Sequence, residues 1–287
     1  MTRYLFRAAL GAVVAASLCT GAAVAQQGPK RAISNIAGDL YRFKNNFHFS
    51  VFYVTPAGVI ATDPINADAA RWLKAEIKSR FNQSIKYLVL SHDHPDHSSG
   101  GEVFADTATV VAHANAKRVI VGEKRPTAVP DITFTDNMTL ELGGKKVELS
   151  YVGKNHSDNM VVMNFPAERV LFAVDFIPVR TVAFRTLGDA YIPEWMDSLK
   201  RVEAMDFDVL APGHGRLGKK SDVTAFRGYM EGLYSRVLAG VRAGKSLDEL
   251  KKSIEVPGYE KWFNYGKWKG ENIQGMYNQI RMHRRPG

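Results

Sequence analysis

The chain has 287 residues, 45% of them hydrophobic, which is enough to bury a real core, and α/β enzymes of this length often form one domain. Its only cysteine is Cys19, so disulfides and thiolate metal sites are excluded from everything downstream. The formal charge is +9, but the basic residues in "KRPT", "GGKK" and "MHRRPG" are dispersed among acids, which describes a solvated basic surface and not a nucleic-acid footprint.

Residues 1–25 read as a secretory signal peptide. "MTRYLFR" is a basic start, "AALGAVVAASLCTGAAVA" is apolar, and Ala23-Val24-Ala25 fits a small-x-small cleavage site before Gln26. Leu18 before Cys19 argues against a lipoprotein site, and no long apolar run follows that could span a membrane. The mature chain, residues 26–287, is therefore expected to be periplasmic or secreted and free of the membrane, and losing Arg3 and Arg7 takes its charge from +9 to +7.

In the mature chain, strands are expected in "FHFSVFYVT" (47–55) and "VIATDPI" (59–65), with "AG" at the turn between them. A helix follows over 66–81, where Ala69, Trp72, Leu73, Ile77 and Phe81 recur at helical spacing and Asn66 or Asp68 can cap. The strand "KYLVLS" (86–91) comes next. The strand-rich style continues in "TATVVAH", "ITFTDNMTLELGGKKVELSYVG", "NMVVMNFP" and "RVLFAVDFI", with "GG" and "PAER" as turns. Past Gly218 the pattern becomes helical over 222–254, and the aromatic tail 258–282 is helical at its end, so residues 221–287 form a C-terminal helical extension. The sequence has no internal repeat or clear linker. Strands and helices mixed in this way predict sheets covered by helices in one α/β layered domain over 26–287, with the topology open.

The segment "SHDHPDHSSGG" places His92, His94 and His97, three of the 8 histidines, with Asp93 and Asp96 directly behind an apolar strand. Packing does not explain that density. His156 after "VELSYVGKN", Asp175 after "RVLFAV" and His214 after "FDVLAPG" each stand where an apolar strand runs out, and strand-end side chains can converge on one sheet edge. Without cysteine, any metal must be held by imidazole and carboxylate. Seven such residues exceed one tetrahedral zinc site but suit two ions, each with room for water or substrate. If the strand directly before them continues, His92 and His94 share a face, while Asp96 and His97 lie past the Pro95 turn.

"SHDHPDH", "KNHSDN", "LFAVDFI" and "APGHG", in this order along nearly all of the mature chain, resemble the metallo-β-lactamase superfamily. The resemblance implies an αββα sandwich with a dinuclear site at one edge. It implies that His92, His94 and His156 hold one ion, that Asp96, His97 and His214 hold the other, and that Asp175 bridges them. The ions would be two zinc, although iron or manganese occur in relatives. Asp63 in "VIATDPI" resembles the family's aspartate behind the ligands, a role that outer carboxylates can fill, or else it is a strand-end turn residue. His113 is expected to be structural. His48 could face the pocket, though a core or surface position is the more ordinary reading, and His283 has no evident role. Arg180, Arg185 and Tyr191 follow Asp175 and are candidates for substrate contact.

Two cations lower the pKa of a bound water toward ~7 and yield a hydroxide, which implies hydrolysis of a small-molecule substrate. Asp96 and Asp175 are the candidate catalytic residues. Both could orient the hydroxide, and Asp96 could later protonate the leaving group through water. Asp175 stands where the cysteine-containing lactamases carry a cysteine ligand, and Pro178 where they commonly place a carboxylate-binding lysine. "SSGG" after His97 departs from the usual glyoxalase II ending, whose thiol-ester-binding tail is not recognised in 221–287. The expectation is therefore an ester, thioester or lactone. β-Lactam hydrolysis comes second and phosphodiester or organophosphate hydrolysis third, with a zinc-binding accessory protein as the non-enzymatic alternative. No nucleic-acid partner is expected, and the oligomeric state is open.

Overall fold

The computed structural model describes residues 28–283; the expected leader with Cys19 and the His283 side chain lie outside the described part. The first sheet comprises β1 (Arg31–Ala37), β2 (Leu40–Asn45), β3 (His48–Thr55), β4 (Gly58–Thr62), β5 (Ile85–Val89), β6 (Thr109–His113) and β7 (Ile132–Phe134), paired in that order. The chain then crosses to β8 (Asn137–Leu142), β9 (Lys145–Ser150), β10 (Val162–Phe165), β11 (Val170–Val174), β12 (Val209–Pro212) and β13 (Gly218–Lys219), which form a second, six-stranded sheet.

The two sheets face each other because their strands alternate. Val51 and Tyr53 point into the space between the sheets with Ile60, Val89, Leu149 and Phe165, while Phe52, Val59, Ala61 and Leu88 point the other way. That outer face is covered by α1 (Ala67–Phe81) and α3 (Ala114–Gly122) through Leu73, Ile77, Ala116 and Ile120. Fully burying Leu73 and Ile77 stabilises the α1 contact by about 1.5–3 kcal/mol each. Asn66 caps α1, its side chain accepting from the Ala69 amide, and acidic Asp68 sits in the positive first turn. On the far side α4 (Ile192–Glu203), α5 (Lys220–Arg242), α6 (Leu247–Ser253) and α7 (Tyr265–His283) complete the αββα order. Among the described residues no helix is long and apolar enough to cross a membrane.

The expected α/β layers and C-terminal helices are present, with three differences. The strand expected over 86–91 leaves the sheet at Val89, so His92 and His94 stand on a loop and not on one face of a strand; only α2 (Pro95–Ser98) restores order, with Pro95 at its first turn. The single expected helix over 222–254 breaks at Ala243–Ser246, where Ser246 starts α6 with a reciprocal cap to Glu249. Residues 31–45 and 192–203, unassigned from sequence, form β1, β2 and α4.

Pairing direction decides where the site lies. β4 and β5 are parallel, as are β11 and β12, and β9 runs parallel to β11 because both are antiparallel to β10. The carboxyl ends of β4, β5, β9, β11 and β12 therefore deliver Asp63, the 92–97 segment, His156, Asp175 and His214 to one edge, where α/β sheets place their ligand sites.

Candidate metal centre

All seven expected residues meet there, in two groups whose ligand atoms lie within 4.8 Å of one another: His92, His94, His156 and Asp175 in one, and Asp96, His97, Asp175 and His214 in the other. Asp175 belongs to both, and each oxygen faces a different group. Oδ2 lies 4.0 Å from His92 Nε2 and 3.9 Å from His156 Nε2, whereas Oδ1 lies 3.1 Å from His97 Nε2 and 3.3 Å from His214 Nε2.

Surrounding hydrogen bonds select which ring nitrogen is free on His92, His94 and His214. Ser91 Oγ gives its one proton to Asp63 Oδ2 at 2.7 Å, so His92 Nδ1, 2.8 Å from that Oγ, must donate. This leaves His92 Nε2 as a lone pair, buried and without a hydrogen-bond partner. His94 Nε2 donates to Asp189 Oδ2 at 2.6 Å, which turns its Nδ1 toward His156 Nε2 at 3.1 Å. His214 Nδ1 donates to the Phe47 carbonyl at 3.0 Å, and His97 Nδ1 lies 3.3 Å from Asp63 Oδ2, so the two Nε2 atoms face each other at 3.2 Å. Asp175 Oδ1 is likewise buried and unpartnered. Ring nitrogens aimed at one another beside carboxylates, and orphaned buried acceptors, are costly unless protons or a metal cation sit among them. The residues present fit two metal ions of the kind that nitrogen and oxygen donors hold.

The backbone is shaped to that end. A Cβ on Gly213 would stand 2.7 Å from His97 Cε1 and 2.8 Å from Asp175 Oδ1, so only glycine lets the His214 loop approach. Asp63 and Val174 adopt left-handed φ values of 30° and 44° beside the centre, the kind of local strain kept where tertiary contacts over-determine it. The His214 loop is also held by Arg42, whose guanidinium donates to the Pro212 and Gly215 carbonyls at 2.8 and 2.9 Å. Asp93 does not join either ligand set. It pairs with Asn159, accepting from Nδ2 at 2.7 Å, and this ties the loop to the residues after His156.

Among the other residues named from sequence, Asp63 does stand behind the ligands, holding Ser91 and facing His97. His48 lines the centre, with Nε2 3.4 Å from Asp96 Oδ2. His113 is structural: it caps α3, bonds the Thr135 carbonyl at 2.9 Å and stacks on Tyr151. Arg180 is directed at Asp222 in α5 and Arg185 lies over Phe184, partners that belong to neither ligand set. Tyr191 starts α4 beneath the Lys154 ammonium, and its amide donates to the Asn155 carbonyl next to His156. Asp189, Ser91 and Asn159 were not expected. For Asp189 the only sequence signal is a carboxylate in the segment that also carries Arg185 and Tyr191.

The charges set a condition on metal uptake. Burial alone would lower the His214 pKa, but Asp175 and Asp96 outweigh it and raise it to about 9 in the metal-free protein. Burial likewise opposes the charged form of Asp175, yet His97 and His214 hold its pKa well below the ordinary carboxylate value. A ligand imidazole must lose its proton to bind metal. Burial also opposes the charged form of His97, but Asp175 and Asp63 hold its pKa well above the ordinary value. Metal uptake at pH 7 to 8 should therefore release protons, and second-set affinity should rise about tenfold per pH unit for each proton displaced until both His214 and His97 have lost theirs. Calorimetric titration in buffers of different ionisation enthalpy reads this directly; uptake with no proton release would contradict it.

Two sheets wrapped by helices, with His/Asp groups that could hold metal at the carboxyl edge, define the class as a metal-binding α/β sandwich. The pattern of the family described as the Metallo-beta-lactamase superfamily matches residues 37–214, and the chain belongs to that superfamily. It is 27% identical over 229 residues to the 2,4-dinitroanisole O-demethylase subunit alpha of Nocardioides sp. (strain JS1661), covering 75% of this chain and 69% of that one. It is 26% identical over 194 residues to the type 2 metallo-beta-lactamase of Elizabethkingia meningoseptica, covering 63% and 76%. In fold it matches a metallo-beta-lactamase from Pontibacter korlensis with TM-score 0.64 at 21% identity, covering 70% of this chain and 99% of that one.

Proposed function

We propose that this protein is a dinuclear zinc hydrolase acting on an ester, thioester or lactone, exported by cleavage after Ala25 to the periplasm or exterior. The observation that carries the reading is the shared carboxylate: Asp175 offers Oδ2 to one ligand set and Oδ1 to the other. When bound, the ions would acidify water toward ~7 and polarise the substrate oxygen. His92 Nε2, His94 Nδ1 and His156 Nε2 would hold the first, His97 Nε2, His214 Nε2 and Asp96 the second.

The chain's own contribution to turnover is positioning and proton transfer. Asp96 is the most open of the ligand carboxylates, with 45% of its side chain exposed, and its Oδ2 is engaged by His214 and His48. Its other oxygen can take the proton that attacking water loses as the new C–O bond forms. The same oxygen can return that proton to the leaving oxygen or sulfur as the acyl bond breaks. Asp175, buried between the sets, keeps the charge that holds them at a fixed separation.

β-Lactam hydrolysis is the second reading, favoured by the likeness to the Elizabethkingia lactamase. Asp175 in place of a cysteine and Pro178 in place of a lysine count against it. The test is a side-by-side panel of an aryl ester, an acyl lactone, a chromogenic cephalosporin and an aryl phosphodiester. 2,4-Dinitroanisole is added because of the Nocardioides relative's name. The expected result is fastest turnover on the ester or lactone, lost with chelator and restored by zinc. Turnover on none, with zinc bound, would favour the accessory-protein reading.

A further inference from the structure

The segment between Asp175 and α4 is irregular, and three of its non-glycine residues, Arg180, Arg185 and Leu187, adopt left-handed φ values of 47°, 46° and 55°. Such conformations persist only where neighbours impose them. Here the neighbour is α7, outside the residues 37–214 that carry the family pattern.

Asn272, Gly275 and Gln279 recur at i, i+3 and i+7, so they share one face of α7. Asn272 is fully buried. Its Nδ2 donates to the carbonyls of Ala183 and Arg185 at 2.9 and 2.6 Å, and its Oδ1 accepts from Tyr229 of α5 at 2.7 Å. Gln279 Nε2 donates to the carbonyls of Leu187 and Ala190 at 3.1 and 2.6 Å. Between them Gly275 lets the irregular loop lie directly on the helix: a Cβ there would stand 2.0 Å from the Thr186 carbonyl oxygen. Just before α7, the Phe263 amide donates to the Arg180 carbonyl at 3.0 Å. The segment so held presents Asp189 to His94 Nε2 at 2.6 Å and ends on the Tyr191 amide, which bonds Asn155 beside His156.

We propose that α7 is a clamp for the first ligand set: through Asn272, Gly275 and Gln279 it fixes the 180–190 segment so that Asp189 orients His94 with Nδ1 toward the metal. These three are positioning residues, and the inference rests on reading His92, His94, His156 and Asp175 as a metal site. Loss of a group that hydrogen-bonds a ligand, as Asp189 does His94, typically changes metal affinity about 10–100-fold, and displacing Asp189 through the clamp acts by the same route.

The test is cobalt titration of the full chain, followed by its absorption bands, with thermal melting measured alongside. Gly275→Ala should weaken one binding step about 10–100-fold, the same step that Asp189→Asn weakens, and leave the other unchanged. Gly270→Ala is the matched control, because a Cβ on Gly270 meets nothing within 4 Å. It should leave both steps unchanged and melt no lower, since alanine favours helix. Gln279→Glu keeps size but removes both donors, and should follow Gly275→Ala; it decides the matter if Gly275→Ala does not fold. Wild-type protein that binds no cobalt would overturn the metal reading itself. Two tight steps in wild type with both unchanged in Gly275→Ala and Gln279→Glu, or both weakened equally, would overturn the clamp alone.

Discussion

His94→Ala should reduce turnover at least about a thousandfold, roughly 4 kcal/mol of lost transition-state stabilisation, while the protein remains folded. The side chain is one of three imidazoles in the first set and supplies Nδ1 next to His156 Nε2 at 3.1 Å. It stands on the loop between β5 and α2, with 21% of its side chain exposed, and belongs to neither hydrophobic cluster, so truncation leaves the core intact. Asp189 loses its partner, but it is mostly exposed and can return to water. The checks are kcat/KM on the best substrate of the panel and zinc content by elemental analysis. Full activity with unchanged metal would remove His94 from the ligand set.

Asp175→Asn should be nearly as damaging, and at both sets at once. The substitution keeps the shape and removes the one charge that both groups share. Its Oδ1 then no longer offsets His97 and His214, whose Nε2 atoms face each other at 3.2 Å. Metal content should fall from the proposed two equivalents toward one or none, and turnover by at least about a hundredfold, close to 2.7 kcal/mol. Asp175→Cys is the companion: a single sulfur cannot offer two separate atoms to the two sets, so occupancy or rate must change. Metal content and rate unaltered in both variants would place Asp175 outside the ligand shell.

Much of this could be read along the chain, for reasons that differ by residue. The 92–97 cluster stands out because its residue types have no packing role behind an apolar strand, and α1 because Leu73 and Ile77 repeat at helical spacing. The same spacing exists in α4, at Ile192, Trp195, Leu199 and Val202, so that helix was legible although unassigned. β1 was less so: it is an edge strand with mixed exposure, and its alternation is weak. The expectation that His92 and His94 share a strand face fails because the strand stops at Val89, where the Leu90 and Asp63 amides make the last bonds to neighbouring strands.

What the sequence determined by itself was the inventory: seven nitrogen and oxygen donors in a fixed order, each just beyond an apolar run, in a chain without downstream cysteine. Those are local properties, set by residue type and period. Which atoms of those residues meet was decided only by the tertiary structure. The two nitrogens of a neutral imidazole are alike until a neighbour takes a hydrogen bond from one of them. Ser91 is adjacent to His92, but its proton goes to Asp63, which the end of β4 brings in; Asp189 and the Phe47 carbonyl are brought in by the loop that α7 holds and by the β2–β3 hairpin.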